Sequence, residues 1–311
     1  MRRTRQKNTK EAYEGGARRY NDFCATESLL PEGPETLATY LLRRLHQDKS
    51  RSTILGDKAA VSDMFRWRGL GSENPSNHFL VKEAIEHVKK HTAPPVRKKP
   101  FTRKLLQTLL DKVDEENFLE LRDTFMFTLC RKGTMRASEV VDLEDTDAWE
   151  EKVEVNGEFV WVLFMIVEKM KNDQYRKGHT IVLQAEPAAP EMCVVRQFRR
   201  YREARAKELA KAIRRDPSRV KNATHLFPKQ GFRGAKIAPS TFNTNFKSRC
   251  KAAGIPAVFT SHCLRVGGVT AAIAAGIELR LVARHGNWKS DAIFRYISDD
   301  LEQKLTVGNT I

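Results

Sequence analysis

Apolar positions recur at helical spacing through the first ninety or so residues. Tyr13, Ala17, Tyr20 and Phe23 predict a helix over residues 9–24, and Leu37, Tyr40, Leu41 and Leu45 a second after Pro34. Ile54, Ala59, Val61, Met64 and Phe65 predict a third from near Ser52, ended by Gly69 and Gly71. Phe79, Val81, Ile85 and Val88 predict a fourth, with Asn77 in place to cap it. Pro94-Pro95 then break the pattern, because neither proline nor its predecessor suits a helix interior. Two more helices are predicted over residues 101–130. The texture then changes to short runs rich in β-formers: residues 152–155, the turn pair Asn156-Gly157, residues 158–167 and a return run over 180–183. That is the signature of a hairpin extended by a third strand. A long basic helix follows over 190–212. Another runs over 239–253, stopped by Gly254, and the last three cover 264–275, 278–285 and 291–298. The chain is therefore expected to be mainly α with a small antiparallel β-sheet. A helical domain spans residues 1–93, a linker 94–104, and an α+β domain 105–311.

Composition narrows the partner. The 311 residues suffice for two cores, and 41% apolar with 30% charged residues is a globular balance. The formal charge is +16, and both halves share it. A field of that sign over two domains favours a polyanion touching both, although a solubilising surface gives the same count. The linker region adds Arg97, Lys98, Lys99, Arg103 and Lys104, a cluster suited to strapping along a duplex backbone, or to a solvated hinge or nuclear-import signal. In the helix over 239–253, Phe242, Phe246 and Cys250 lie on one side, and Asn243, Lys247 and Lys251 on the other. Arg97, Lys98, Lys99, Arg103, Asn243 and Lys247 are thus candidate DNA contacts. The five widely spaced cysteines show no zinc-site spacing and are expected to be reduced. The apolar run over residues 160–167, longer by one with Phe159, is too short to cross a bilayer, and the basic N-terminus lacks the apolar stretch of a signal peptide.

The chemistry concentrates near the C-terminus. Ser261-His262-Cys263-Leu264-Arg265 is followed by Gly286-Asn287-Trp288 and Phe294-Arg295-Tyr296. No carboxylate cluster has metal-site spacing, so phosphate chemistry here would rest on fixed cations and hydrogen-bond donors. Arginine suits that task through its permanently charged planar fork. Arg136, Arg265, His262 and Trp288 form the candidate set, with His262 and Arg265 on one helix face. Tyr296 is the candidate nucleophile. A phenol with a pKa of about 10 needs nearby cations to favour its phenolate. Lys171, in the polar turn over 169–179, is placed to protonate a leaving oxygen, with Lys169 and Lys177 as competitors. Glu139, three residues after Arg136 and so expected on the same helix face, is placed to hold Arg136 or His262. His285 reads as a helix-end residue. Each residue has a bland alternative: an ordinary helix ion pair for Arg136 and Glu139, a turn cation for Lys171, a core aromatic for Tyr296.

Together these segments resemble the tyrosine recombinases, the phage-integrase family that includes Cre. Lys132-Gly-Thr-Met-Arg136-Ala-Ser-Glu139-Val-Val-Asp-Leu143 resembles the family's first arginine box, and Ser261-His262-Cys-Leu-Arg265-Val-Gly-Gly268 its His-x-x-Arg box. Trp288 falls where the family has His or Trp. The form Trp288-Lys-Ser-Asp-Ala292, with Lys171-Asn-Asp-Gln174, is most similar to recombinases of eukaryotic Crypton- and DIRS-type mobile elements. The resemblance covers about residues 97–300. It implies Arg136, Lys171, His262, Arg265, Trp288 and Tyr296 as active-site residues with Glu139 supporting. It also implies a 3′-phosphotyrosyl intermediate, no metal, no ATP and no other cofactor. The N-terminal helices resemble the family's core-binding domain, which implies a clamp on double-stranded DNA at a specific site, by a homodimer on one site and a tetramer on the synapse. No membrane partner is implied. The location would be the nucleus in a eukaryote, and otherwise the cytoplasm with the DNA. A type IB topoisomerase-like enzyme and a domesticated, inactive DNA-binding protein are the alternatives. Two departures stand out: Trp288 and Tyr296 are eight residues apart where many members have nine, and fifteen residues follow Tyr296.

Overall fold

The computed structural model describes residues 7–94, 97–168, 178–220, 224–232, 236–288 and 290–296. They fall into two compact units divided between Arg97 and Lys98. In the first unit, α1 (Lys7–Thr26), α2 (Pro34–His46), α3 (Arg51–Trp67) and α4 (Phe79–His91) enclose a core of Tyr20, Leu37, Tyr40, Leu41, Ile54, Val61, Phe65, Val81 and Val88. Pro34 opens α2 and the Ser50 hydroxyl caps α3 by accepting from Thr53 N–H. The expected cap of α4 shifts by one residue. Pro75 launches a single 3-10 turn over Pro75–Asn77, with the Asn74 side chain capping it, so His78 rather than Asn77 precedes α4 and its Nδ1 accepts from Leu80 N–H at 3.4 Å. Asp57 is buried inside this unit and takes hydrogen bonds from Arg19, Arg44 and Tyr40, which explains how a carboxylate survives there.

The second unit is built around α6 (Phe118–Lys132), whose residues from Leu121 to Arg131 are all buried. α5 (Arg103–Leu110) precedes it, capped by Thr102. Residues 97–102 lie outside any helix or strand and α5 begins at Arg103, so Arg103 and Lys104 belong to a helix rather than to the strap. After α6 comes α7 (Ala137–Val140), a single turn. β1 (Ala148–Val155), β2 (Glu158–Ile166) and β3 (Thr180–Gln184) form one antiparallel sheet in that order. Asn156 and Gly157 both have positive φ, 54° and 83°, which is the tight hairpin turn their sequence predicts. Leu163, Met165, Ile181 and Leu183 turn one face of the sheet into the core. α8 (Val194–Arg215) and α9 (Pro239–Ala252) pack on α6. α10 (Ser261–Ala274) and α11 (Leu279–His285) follow, and residues Asp291–Tyr296 form a 3-10 helix where an α-helix was expected. All five cysteines are free and buried.

α10 lies unusually close to its neighbours. A Cβ at Gly267 would sit 2.0 Å from the Phe101 carbonyl oxygen, and one at Gly268 would sit 1.9 Å from that of Arg131. The Phe101 N–H donates to Cys263 O at 2.9 Å, and Arg131 Nε to Phe101 O at 3.1 Å. Two adjacent glycines therefore let α10 press onto the end of α6 and the entering strap. Gly267→Ala should destabilise the protein by about 1–3 kcal/mol, because the obstruction is backbone. Gly56→Ala, in the exposed middle of α3 with open space around it, should stabilise by about 0.5–1 kcal/mol. Urea unfolding of the two variants checks both, and an unperturbed Gly267→Ala would contradict the packing.

Candidate active site

Gly133 ends α6, and Thr134, with φ of 46°, turns the chain sharply toward α7. Arg136 is the residue preceding that one-turn helix, with extended backbone, and Glu139 is its third residue. The pair is thus not two positions on one helix face, as the spacing suggested. Glu139 folds back so that Oε2 accepts from the Arg136 backbone N–H at 2.7 Å, while Oε1 accepts from Arg136 Nη1 at 2.5 Å. Glu139 is only 2% exposed. Its Oε2 also lies 3.7 Å from Arg265 Nη1, so it holds Arg136 and Arg265 together.

Arg265, 1% exposed, reaches this point from the second turn of α10. It donates to the carbonyls of Thr134 and, at 2.9 Å, Gly286. Its guanidinium lies over the Trp288 ring, 3.8 Å from the centroid. Trp288 gets there by a reversal at Asn287, whose φ is 50°, and folds back over Gly286, where any Cβ would strike its ring at 1.6 Å. His262 shares the α10 face of Arg265 near the helix start, as expected, and is exposed at the surface. Desolvation first, then Arg265, Arg136 and Lys98, hold its imidazole below the usual range. The unfolded chain then takes this proton first, so His262's contribution to stability is complete above about pH 6.5 and is lost as pH falls through the depressed pKa.

The corner before Trp288 is tied down twice more. His285 Nε2 donates to Lys132 O at 2.9 Å, and His179 Nε2 donates to His285 O at 3.0 Å. His285 is the last residue of α11, as read from sequence, and its ring faces the end of α6. His179 and Thr134 had no sequence signal of a role here, since their contacts with His285 and Arg265 join positions 106 and 131 residues apart.

Of the remaining expected residues, Lys171 falls in 169–177, outside the described residues, together with Lys169 and Lys177. The backbone of Tyr296 closes the 3-10 helix that Ile293 anchors against Val269 and Val282, and its side chain lies outside the description. Arg97, Lys98 and Lys99 are exposed along the strap. Arg103 pairs with Glu186 at 3.2 Å. Asn243 caps α10 by accepting from Ser261 N–H at 3.0 Å, and Lys247 is exposed. Among the described residues, no three His, Cys, Asp or Glu side chains group so as to hold a metal ion, and no helix is long and apolar enough to cross a membrane.

Comparison with known proteins identifies the family of the second unit. The model of the phage integrase family matches residues 99–301, nearly the whole second unit. The chain belongs to the phage integrase family. It is 26% identical over 303 residues to an integrase/recombinase xerD homolog from Selenomonas ruminantium, covering 96% of this chain and 83% of that protein. Integrases and recombinases of solved structure share its fold. The Tn1549 transposon integrase in complex with transposon right end DNA matches with a TM-score of 0.61 at 15% identity, over 99% of this chain and 94% of that one. The XerH site-specific recombinase bound to palindromic difH substrate matches at 0.60 and 17% identity, over 89% and 70%. Lambda integrase, as a tetramer bound to a Holliday junction, matches at 0.55 and 14%, over 96% and 73%.

The electrostatics of this integrase-family site can be tested directly. Arg136→Gln removes one of the cations that disfavour the imidazolium, so the His262 pKa should rise toward about 6.5. NMR titration of the His262 ring checks this, and an unchanged or lower value would contradict the arrangement.

Proposed function

We propose that this chain is a site-specific DNA recombinase or integrase that cleaves and rejoins DNA strands through a 3′-phosphotyrosyl intermediate. The observation that carries the reading is the pairing of Arg136 and Arg265 across the buried Glu139 carboxylate, with His262 and Trp288 alongside. Two positive guanidiniums share one negative group, which suits a phosphodiester and the charge that develops on its oxygens. The Tyr296 oxygen attacks the phosphorus and the 5′ oxygen leaves, taking its proton from Lys171. The phosphate stays joined to Tyr296 through the 3′ side. Rejoining runs the same steps backward from a free 5′-hydroxyl, so the bond energy is conserved and neither ATP nor a metal is required. The His262 imidazole, neutral when free, gains a reason to protonate beside bound phosphate.

The first unit, read as a core-binding domain over residues 1–93, and the cations of the strap over 94–104 would hold the duplex for catalysis by the domain over 105–311. Arg97, Lys98, Lys99 and Lys247 are exposed and suited to backbone phosphates. Arg103 would have to exchange Glu186 for phosphate, and Asn243 would act by fixing the start of α10. The partner is double-stranded DNA at a specific site, bound by a dimer on one site and a tetramer on the synapse. The motif form around Trp288 and Lys171 supports a mobile-element recombinase of the Crypton or DIRS kind, working in the nucleus of a eukaryote.

A nicked suicide substrate carrying the cognate site should yield a covalent protein–DNA adduct, which Tyr296→Phe abolishes while binding persists. An adduct that survives the change sinks the nucleophile assignment. Relaxation of arbitrary supercoiled plasmid by monomers would favour topoisomerase-like action instead, and binding with no adduct from the unaltered chain would favour an inactive DNA binder. Binding itself should weaken steeply as salt rises from 50 to 200 mM, by on the order of a thousandfold if several phosphates are contacted.

A further inference from the structure

Trp288 and Arg265 face each other only if the short corner from His285 to Trp288 stays where it is. That corner is bonded back to α11, with the N–H groups of Gly286, Asn287 and Trp288 donating to Val282, Arg284 and Ala283 O at 3.1, 3.0 and 2.9 Å, and Trp288 packs beside Val282 and Ile293. The corner consists of the end of α11, a glycine that must lack a side chain, and Asn287 in the left-handed region. α11 itself is only seven residues long. Two hydrogen bonds from imidazoles tie α11 and this corner to the end of α6 and to the sheet. His285 points its Nε2 at the Lys132 carbonyl, 2.9 Å away at the C-terminal end of α6. Two residues further on, Thr134 offers its own carbonyl to Arg265. His179, at the start of the β3 side of the hairpin, points its Nε2 at the His285 carbonyl, 3.0 Å away. His179 is fixed in turn, because its N–H and carbonyl pair with Val167 at 3.1 and 2.9 Å. Carbonyls only accept, so both rings carry their proton on Nε2.

We propose that His285 and His179 are positioning residues for the Arg265–Trp288 pair, joining the corner to α6 on one side and to the sheet on the other. Neither ring touches substrate on this account. They set the place of the indole, and through the Gly286 carbonyl the place of the guanidinium, to within the fraction of an ångström that strand cleavage demands. The proposal rests on the recombinase reading for what the pair does, and it adds two residues to which that reading assigns nothing.

Glutamine carries an amide nitrogen about where histidine carries Nε2 and donates in the same direction, which makes the hydrogen bond separable from bulk. The test uses the full chain, a nicked suicide substrate with the cognate site, and His285→Ala, His285→Gln, His179→Ala and His179→Gln, each compared for adduct rate, DNA affinity and melting temperature. The alanine variants should form the adduct on the order of 10–100 times more slowly. DNA affinity should change less than about threefold, and the glutamine variants should recover most of the rate. The proposal is overturned if folded alanine variants cleave at the unaltered rate. It is also overturned if the glutamine variants fold and remain as slow as the alanine ones, or if the loss lies wholly in DNA affinity. The Tyr296→Phe variant run alongside keeps the two ideas apart: an adduct that survives it rejects the nucleophile, whereas its loss with unaffected histidine variants rejects only the positioning role.

Discussion

The carboxylate of Glu139 is the constraint on which the rest of the site depends. Two arginines brought this close repel one another, and Arg265 is nearly out of contact with water. A buried guanidinium is tolerable only when paired and fully hydrogen-bonded. Glu139 answers both demands with two oxygens, one on the Arg136 side chain and the other between the Arg136 N–H and Arg265. Nη1 and Nη2 of Arg265 also donate to two backbone carbonyls, and its flat face is covered by Trp288. Removing one partner from a buried arrangement of this type costs about 3–5 kcal/mol, since it strands the others. The same geometry that keeps the arginines stable also aims them, and a preset cation does not have to reorganise as charge builds on a phosphate.

That arrangement is possible only because backbone segments approach each other more closely than side chains allow. Gly267 and Gly268 lie two and three residues after Arg265, and they let α10 settle against Phe101 and the end of α6. The carbonyl of Thr134 is then within reach of Arg265, and the turn into α7 brings Glu139 beneath it. Gly286 performs the corresponding service on the other side, where the Trp288 ring folds over it. The strap enters this core as well: Phe101 is fully buried and hydrogen-bonded to the first turn of α10. Fold and site are one packing problem, solved by glycines placed beside the charged residues.

The helices of the first unit and the Asn156-Gly157 hairpin could be read from the chain because their causes are local: apolar spacing, a proline or serine at a helix start, and a turn pair that tolerates positive φ. Arg136, His262, Arg265 and Trp288 stood out through their order and spacing, and the structure brings them together. Their contacts did not stand out. Glu139 meets Arg265 across 126 positions, and His285 meets Lys132 across 153, and no local pattern encodes either meeting. Local competition explains the smaller differences. Asn74 and Pro75 make a 3-10 turn that passes the α4 cap from Asn77 to His78. At Arg136, a cap geometry replaces the helix face that a spacing of three suggested. Asn243, read as a DNA contact, spends its oxygen on the start of α10.

The most direct test of the central claim removes the shared charge without removing the shape. Glu139→Gln keeps an oxygen for the Arg136 N–H but no longer balances two guanidiniums. Compared with the unaltered chain in the same cleavage and binding assays, the folded variant should cleave on the order of a hundredfold more slowly. Its DNA affinity should stay within a factor of about three, because the proposed phosphate contacts of the strap and α9 lie elsewhere. A folded Glu139→Gln protein that cleaves at the original rate would contradict the account.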